Sequence, residues 1–470
     1  MALQNPKPDR IKFTLVEQVM GDIRGQIAGR HLTPGMKLPS IRQSARQRQV
    51  SKSTIVEAYD RLAAEGVIEA RKGSGFYVLG NLPPFNLSKV KPMRDRRVDP
   101  LWVSRQSLEA DDSILKPGCG WLPPSWMPQD SIRAALRSLS RAPDAVLTEY
   151  GTPNGFVPLR ELLVRRMSVN GIAASAEQVM LTESGTQTID LLCRFFLEPG
   201  DTVLVDDPCY FNFHALLKAH RVNVVGVPYT PTGPDIDLFD KALRAHRPRL
   251  YITNSAIHNP TGAVLSPAIA HQLLKLADQS NLIVIEDDIF ADLELVPAPR
   301  LAALDGLQRV VHIGSFSKTL SAAARCGFIA ARQDWIEGLI DLKIATTFGG
   351  EPFSAELTWR VLKDGTYKKH LNSLRERLSR AQNDTCRQLK NIGIEPWLVP
   401  EAGMYLWCRL PGDVNASELA NEAVRQGIIL APGEVFSLTK AGSSFLRFNV
   451  AQSRSPKIYE FLAMAMHSRP

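Results

Sequence analysis

The 470-residue sequence has no apolar run near the roughly 18 residues that a membrane-crossing helix needs, and Met1 to Arg10 carries charges and prolines where a secretion leader would have an apolar core. A cytoplasmic protein that neither enters nor crosses a membrane is therefore expected. Cysteine is sparse: the six residues (Cys119, Cys193, Cys209, Cys326, Cys386, Cys408) form no CxxC pair and have no histidine at ligand spacing. Neither a metal site nor a disulfide framework is expected, and the thiols read as reduced. Internal repeats and low-complexity tracts are also missing. With 44% hydrophobic and 22% charged residues, the composition is that of a folded chain, and the length exceeds one domain.

What is present is unevenly spread. Residues 1–80 hold thirteen Lys or Arg against seven Asp or Glu, and residues 81–110 hold six against three, so with a net charge of +8 the remaining 360 residues are close to neutral. A basic first quarter joined to a neutral remainder points to a polyanionic partner at one end of the chain.

That basic end reads as a small domain over residues 1–80. Val16, Met20, Ile23 and Ile27 form one helical stripe; Pro39 and Ser40 open a short second helix that ends near Arg48; a third helix starts at Ser51 with Ile55, Tyr59 and Leu62 inward and Gly66 to stop it. Two strand-like runs, Val67 to Ala70 and Gly75 to Val78, flank the turn Arg71-Lys72-Gly73-Ser74. Three helices and a basic hairpin make a winged helix-turn-helix, in which the start of the third helix reads base edges in double-stranded DNA and flanking donors hold phosphates. Leu38-Pro39-Ser40-Ile41-Arg42, Val50-Ser51-Lys52-Ser53-Thr54, Glu65-Gly66 and the Arg71 to Val78 hairpin resemble the GntR family of bacterial transcription regulators. By that resemblance Arg42, Ser51, Lys52, Ser53, Thr54, Lys72 and Gly73 contact an operator, with lysine at position 52 where many relatives have arginine.

Residues 81–114, with Pro83-Pro84, Pro92, Pro100 and the basic cluster from Lys89 to Arg97, read as a semi-extended linker. From residue 115 to 470, β-branched runs at Gln178–Leu181, Thr202–Val205, Arg249–Thr253, Leu282–Ile285 and Val310–Ile313 alternate with helical stretches. The pattern predicts an α/β domain with a mainly parallel sheet covered on both faces.

Polar residues collect at the ends of these strands. Lys318 lies in Ser315-Phe316-Ser317-Lys318, with Arg325 seven residues on; Asp287 follows a strand; Tyr210 ends Asp206-Asp207-Pro208-Cys209-Tyr210; Asn259 opens Asn-Pro-Thr-Gly; and Ser184-Gly185-Thr186-Gln187 joins a strand to a helix. Together they meet the demands of pyridoxal 5′-phosphate: an amine for its aldehyde (Lys318), a carboxylate for its pyridine nitrogen (Asp287), an aromatic face (Tyr210) and a donor to its phenolic oxygen (Asn259). The phosphate falls to Ser315, Ser317, Arg325 and the helix start at Gly185, Thr186 and Gln187. This set, in this order, resembles the fold-type I aminotransferases over about residues 115–465, with a large and a small subdomain. The resemblance further implies that Tyr150 reaches the phosphate of a neighbouring subunit in a homodimer and that Arg447 binds an amino acid's α-carboxylate. Two or three residues after the aspartate, where many relatives carry tyrosine, stand Ile289 and Phe290.

A GntR-like head joined to an aminotransferase-like domain is the architecture of the MocR subfamily, of which this sequence is identified as a member. The resemblance implies a pyridoxal phosphate-dependent regulator that senses an amino acid, an amine or the cofactor itself, with transamination weak or vestigial. The same residues suit a working aminotransferase that carries a DNA-binding module.

Overall fold

The computed structural model describes residues 14–29, 31–79, 101–111 and 113–467. The chain divides into a unit of residues 1–95 and a unit of residues 96–470. The basic cluster expected in the linker, Lys89 to Arg97, lies outside the described residues.

In the small unit each helix begins where a side chain can satisfy its free amides. Thr14 and Glu17 form a reciprocal capping box on α1 (Leu15–Ala28), Ser40 accepts from the Gln43 amide at 3.3 Å to start α2 (Ile41–Arg48), and Ser51 accepts from Thr54 at 3.1 Å to start α3 (Lys52–Ala64). Gly66, at φ +72°, turns the chain into β1 (Ile68–Arg71), which pairs antiparallel with β2 (Gly75–Val78). The expected stripes face inward: Met20, Ile23, Ile55, Tyr59 and Leu62 are buried with Val19, Leu38 and Val78, and Val16 and Ile27 flank them. The Tyr59 hydroxyl donates to Pro39 O at 2.9 Å, which ties α3 to the segment before α2. This is the expected winged helix-turn-helix.

The large unit is built on an eight-stranded sheet. Its strands are β3 (Val179–Thr182), β4 (Thr202–Asp207), β5 (Asn223–Thr230), β6 (Gly233–Pro234), β7 (Leu250–Thr253), β8 (Ile283–Asp287), β9 (Val310–Ser315) and β10 (Gly327–Ala330). They lie in the order β3-β10-β9-β8-β7-β4-β5-β6; β9 through β5 are parallel, and β10 runs antiparallel between β3 and β9. Alternate residues serve two cores. Leu204, Tyr251, Val284 and Val310 face one, and Val203, Val205, Ile252, Ile285 and Val311 the other, so helices on both sides bury the sheet. The five strands read from sequence are all present; β5, β6 and β10 are additional.

A second sheet, ordered β11-β12-β14-β13, joins β11 (Glu395–Pro396), β12 (Tyr405–Arg409), β13 (Ala431–Pro432) and β14 (Phe445–Asn449). Its core includes Leu406, Phe448, Phe436 and Leu419, and it also takes in Trp102 and Val103. Those two residues lie on helix α4 (Trp102–Glu109), inside the stretch expected to be linker. The tether reading therefore fails over the last part of 81–114: two large apolar side chains anchor that segment in the core of the large unit.

Candidate ligand cavity and DNA-reading surface

The C-terminal ends of the parallel strands open onto a cavity of about 560 Å³, lined among others by Gly185, Thr186, Tyr210, Asn259, Asp287, Ser317, Lys318 and Arg325. In open α/β sheets this is where ligands sit, because the strand-to-helix turns bring side chains from several strands together there. Eight of the expected residues thus meet in one place.

Lys318 follows β9, and its amine donates to Gly120 O at 2.7 Å. Burial, with Arg447 nearby, pushes this amine down to about 8. Asp287, the last residue of β8, is buried; one oxygen accepts from the Ile289 amide at 3.2 Å, and Asn254 Nδ2 donates to its main-chain carbonyl at 2.9 Å. Burial raises its carboxyl to about 6, more than its hydrogen bonds and Lys318 lower it. A cation placed against this carboxylate would restore its ionised form. Asn259 uses Oδ1 to accept from Arg447 at 2.9 Å, which leaves the amide nitrogen as its free donor. Ser184 caps the Gly185–Phe196 helix and lines the cavity with Gly185 and Thr186, so an anion there meets a helix N-terminus. Arg325 lies in the left-handed backbone region, at φ +44°.

Four expected residues take other places. The Gln187 side chain turns back to accept from the Glu183 amide at 2.7 Å. Ser315 Oγ donates to Cys326 O at 3.1 Å and lies 3.0 Å from Ser317 Oγ, so it steadies Ser317 from behind. Arg447 is buried behind the wall: NH1 bonds Asn259, NH2 donates to Gly118 O at 2.9 Å, and the guanidinium stacks 4.1 Å from the centre of the Tyr405 ring, yet Nε has no partner among the described residues. Gly118 makes that contact possible, because a Cβ there would lie 2.5 Å from the main chain of Leu430 and Ala431. Tyr150 is exposed and lines not this cavity but a second one that Arg325 also borders; its ring lies 5.0 Å from that of Phe348.

The residues present suit the expected cofactor. A desolvated amine and a desolvated carboxylate share the cavity with an aromatic ring, an amide donor and an anion-binding turn, and a guanidinium is buried behind them; among the described residues the carboxylate forms no ion pair and one guanidinium nitrogen has no partner.

On the small unit, Arg42, Ser51, Lys52, Ser53, Lys72 and Gly73 are exposed and Thr54 is partly so. Ser51 also binds the hydroxyls of Ser53 at 2.7 Å and Thr54 at 2.8 Å, so the helix start presents a hydroxyl cluster beside Lys52. Neighbouring cations are neutralised: Arg48 pairs with Asp22, Arg61 with Glu57, Arg24 with Glu65 and Arg71 with Glu69. Arg42, Lys52 and Lys72 form no ion pair among the described residues, nor does Arg46, one turn after Arg42 and missed by the sequence reading. Gly73, at φ +74°, makes the tight turn that carries Lys72.

Comparison with known proteins follows the same division. Residues 15–78 match the gntR family of bacterial regulatory proteins, and residues 125–463 match aminotransferase class I and II. The HTH-type transcriptional regulator NorG of Staphylococcus aureus strain USA300 is 30% identical over 416 residues, covering 85% of this chain and 92% of NorG. This chain is a MocR-type transcriptional regulator. YdfD of Bacillus subtilis strain 168, an uncharacterized HTH-type transcriptional regulator, is 27% identical to the MocR-type chain and covers 94% of it, with 93% of YdfD matched.

Solved structures resemble the regulator's large unit. Kynurenine aminotransferase of Pyrococcus horikoshii, in complex with PMP, superposes with a TM-score of 0.72 and 25% identity over 80% of the regulator and 95% of the enzyme. LysN, the α-aminoadipate aminotransferase of Thermus thermophilus, complexed with N-(5′-phosphopyridoxyl)-L-leucine, gives 0.71 and 25% over 78% and 94%. The regulator's cavity also has walls that sequence reasoning missed, including Asn254, Lys116 and, from α4, Ser107 and Leu108. Single polar residues in loops carry no periodic signal, and α4 lay within the segment read as linker.

Proposed function

We propose that the cavity binds pyridoxal 5′-phosphate and that an amino acid or amine entering it changes the affinity of the small unit for a DNA operator. The observation that carries this is the meeting of Lys318, Asp287, Asn259 and Tyr210 with the Ser184–Thr186 turn in one cavity. The bound cofactor supplies an aldehyde that condenses reversibly with primary amines and releases water.

This chain's own residues do the rest. Lys318, with its amine held near 8, is partly unprotonated at neutral pH and is the nucleophile that fixes the cofactor. Asp287 holds the pyridine nitrogen in its protonated form, Tyr210 covers the ring, and the free nitrogen of Asn259 donates to the phenolic oxygen. Ser184, Gly185, Thr186, Ser317 and Arg325 bind the phosphate. Arg447, which keeps an unpartnered Nε, receives the α-carboxylate. Tyr150 serves the partner subunit of a homodimer. Ile289 and Phe290 both line the cavity where many aminotransferases place a tyrosine hydroxyl, which supports sensing over rapid transamination.

The test is reduction of the purified protein with borohydride followed by peptide mapping. The cofactor should be recovered on Lys318 and lost in Lys318→Ala; a label on another lysine refutes the assignment. Operator binding by the wild type and Lys318→Ala, across a panel of amino acids and amines, then checks the regulatory half. If ligands are turned over quickly and none changes DNA affinity, the protein is an aminotransferase.

A further inference from the structure

The charges of the cavity do not all find work in cofactor binding. Its wall carries three cationic side chains, Lys116, Lys318 and Arg325, and one acidic side chain, Asp287. In the reading above, on which this inference rests, Lys318 takes the aldehyde, Arg325 the phosphate and Asp287 the pyridine nitrogen. Lys116 is left over. Its ammonium donates to Ala110 O at 3.0 Å and pairs with no carboxylate among the described residues. Ala110 directly follows α4, so this bond places Lys116 at the C-terminal end of the helix that also supplies Ser107 and Leu108 to the wall.

Both of those residues are incomplete as they stand. Ser107 is 2% exposed, and its hydroxyl has no hydrogen-bond partner among the described residues, although buried hydroxyls are nearly always satisfied. Leu108 lines the cavity and is 73% exposed, an apolar side chain with little packed on it. A hydroxyl and an ammonium that have no hydrogen-bond partner and no carboxylate partner, respectively, among the described residues, together with a bare apolar side chain on one wall, ask for a single kind of group: an apolar stem that ends in an anion. With the α-carboxylate assigned to Arg447, that group belongs to the ligand's side chain.

We propose that Ser107 and Lys116 form a side-chain subsite that takes the distal carboxylate of a dicarboxylic amino acid. Leu108 covers the methylene stem, Ser107 donates its hydroxyl, and Lys116 supplies charge. The subsite lies on the segment nearest in sequence to the small unit, so the helix that reads the ligand's side chain is also the first part of the large unit that the connecting chain meets.

The experiment titrates the full-length, cofactor-loaded protein with 2-aminoadipate and with norleucine, which share a straight-chain stem but differ in the terminal carboxylate, following the visible absorption of the cofactor. The wild type should bind the dicarboxylic ligand at least about tenfold more tightly. Lys116→Met should bring that ratio near one, Ser107→Ala should reduce it several-fold, and Lys116→Arg should retain most of it. The readout is a ratio of affinities within one protein, so a general loss of folding does not imitate it. A wild type with no preference, or the same preference in Lys116→Met, overturns this subsite alone. A wild type without any visible cofactor band overturns the subsite and the cofactor reading together.

Discussion

Asp287 shows what one buried carboxyl does to the whole chain. Its ordinary value of 3.8 is raised to about 6 by burial, so the stabilisation tied to its neutral form is complete below the ordinary value and is lost as pH rises through 6. Two pH units correspond to an upper limit of about 3 kcal/mol. Cofactor-stripped wild type should therefore lose more thermal stability between pH 4.5 and 7.5 than Asp287→Asn does, as followed by melting temperature across that range. Pyridoxal phosphate should reverse the order near pH 7.5, because only the aspartate offers a counter-charge to the pyridine nitrogen. Equal pH slopes in the two stripped proteins would show that the carboxyl is not desolvated. Residues of this kind were legible in the sequence because each follows a strand and has a chemistry that little else at that place requires. Asn254, Ser184 and Ser107 were not assigned roles, since a lone amide or hydroxyl becomes meaningful only once folding shows what it faces.

Among the elements, the wing and α3 make separable contributions. Lys72 forms no ion pair among the described residues, whereas Arg71 is held by Glu69 and lies 4.5 Å from the centre of the Tyr77 ring. Lys72→Ala should therefore reduce the slope of log affinity against log salt by about one unit, and Arg71→Ala by less, in operator titrations between low and moderate salt. Ser51→Ala removes the cap of α3 and should destabilise the small unit by about 1 kcal/mol in denaturant melts, in addition to any loss of DNA binding. The helices of the head were readable because cap, stripe and stop coincide. In the large unit, β5 carries Gly226 and Pro228, which break a strand pattern, and β10 has Gly327 and Ala330 at its ends, so only Phe328 and Ile329 carry a strand signal. Helix α4 was missed for a different reason. The prolines upstream argue in the sequence against one long helix, and the basic cluster offers no apolar stripe, but neither keeps a helix from starting directly after the last proline, Pro100.

For the molecule as a whole, DNA affinity responds to a ligand only if the two states of the protein bind that ligand differently. With a coupling of about 1–3 kcal/mol, saturating effector should change operator affinity by roughly 5- to 150-fold, and Lys318→Ala should abolish the change. Fluorescence titration of a labelled operator with and without effector measures it. The exposed Tyr150 ring gives a second whole-molecule expectation: light scattering at micromolar concentration should report a homodimer.

The position of α4 also bears on how such regulators are recombined. A hybrid that joins the head of one protein to the large unit of another at residue 114 would carry in α4 from the head donor, along with its side chains at positions 107 and 108. The pocket of that hybrid would be a mosaic, with its polar floor from one parent and part of its wall from the other. A graft made ahead of residue 96 keeps both from the same parent, so two hybrids with the same head and the same sheet should answer to different ligands according to where the seam was placed.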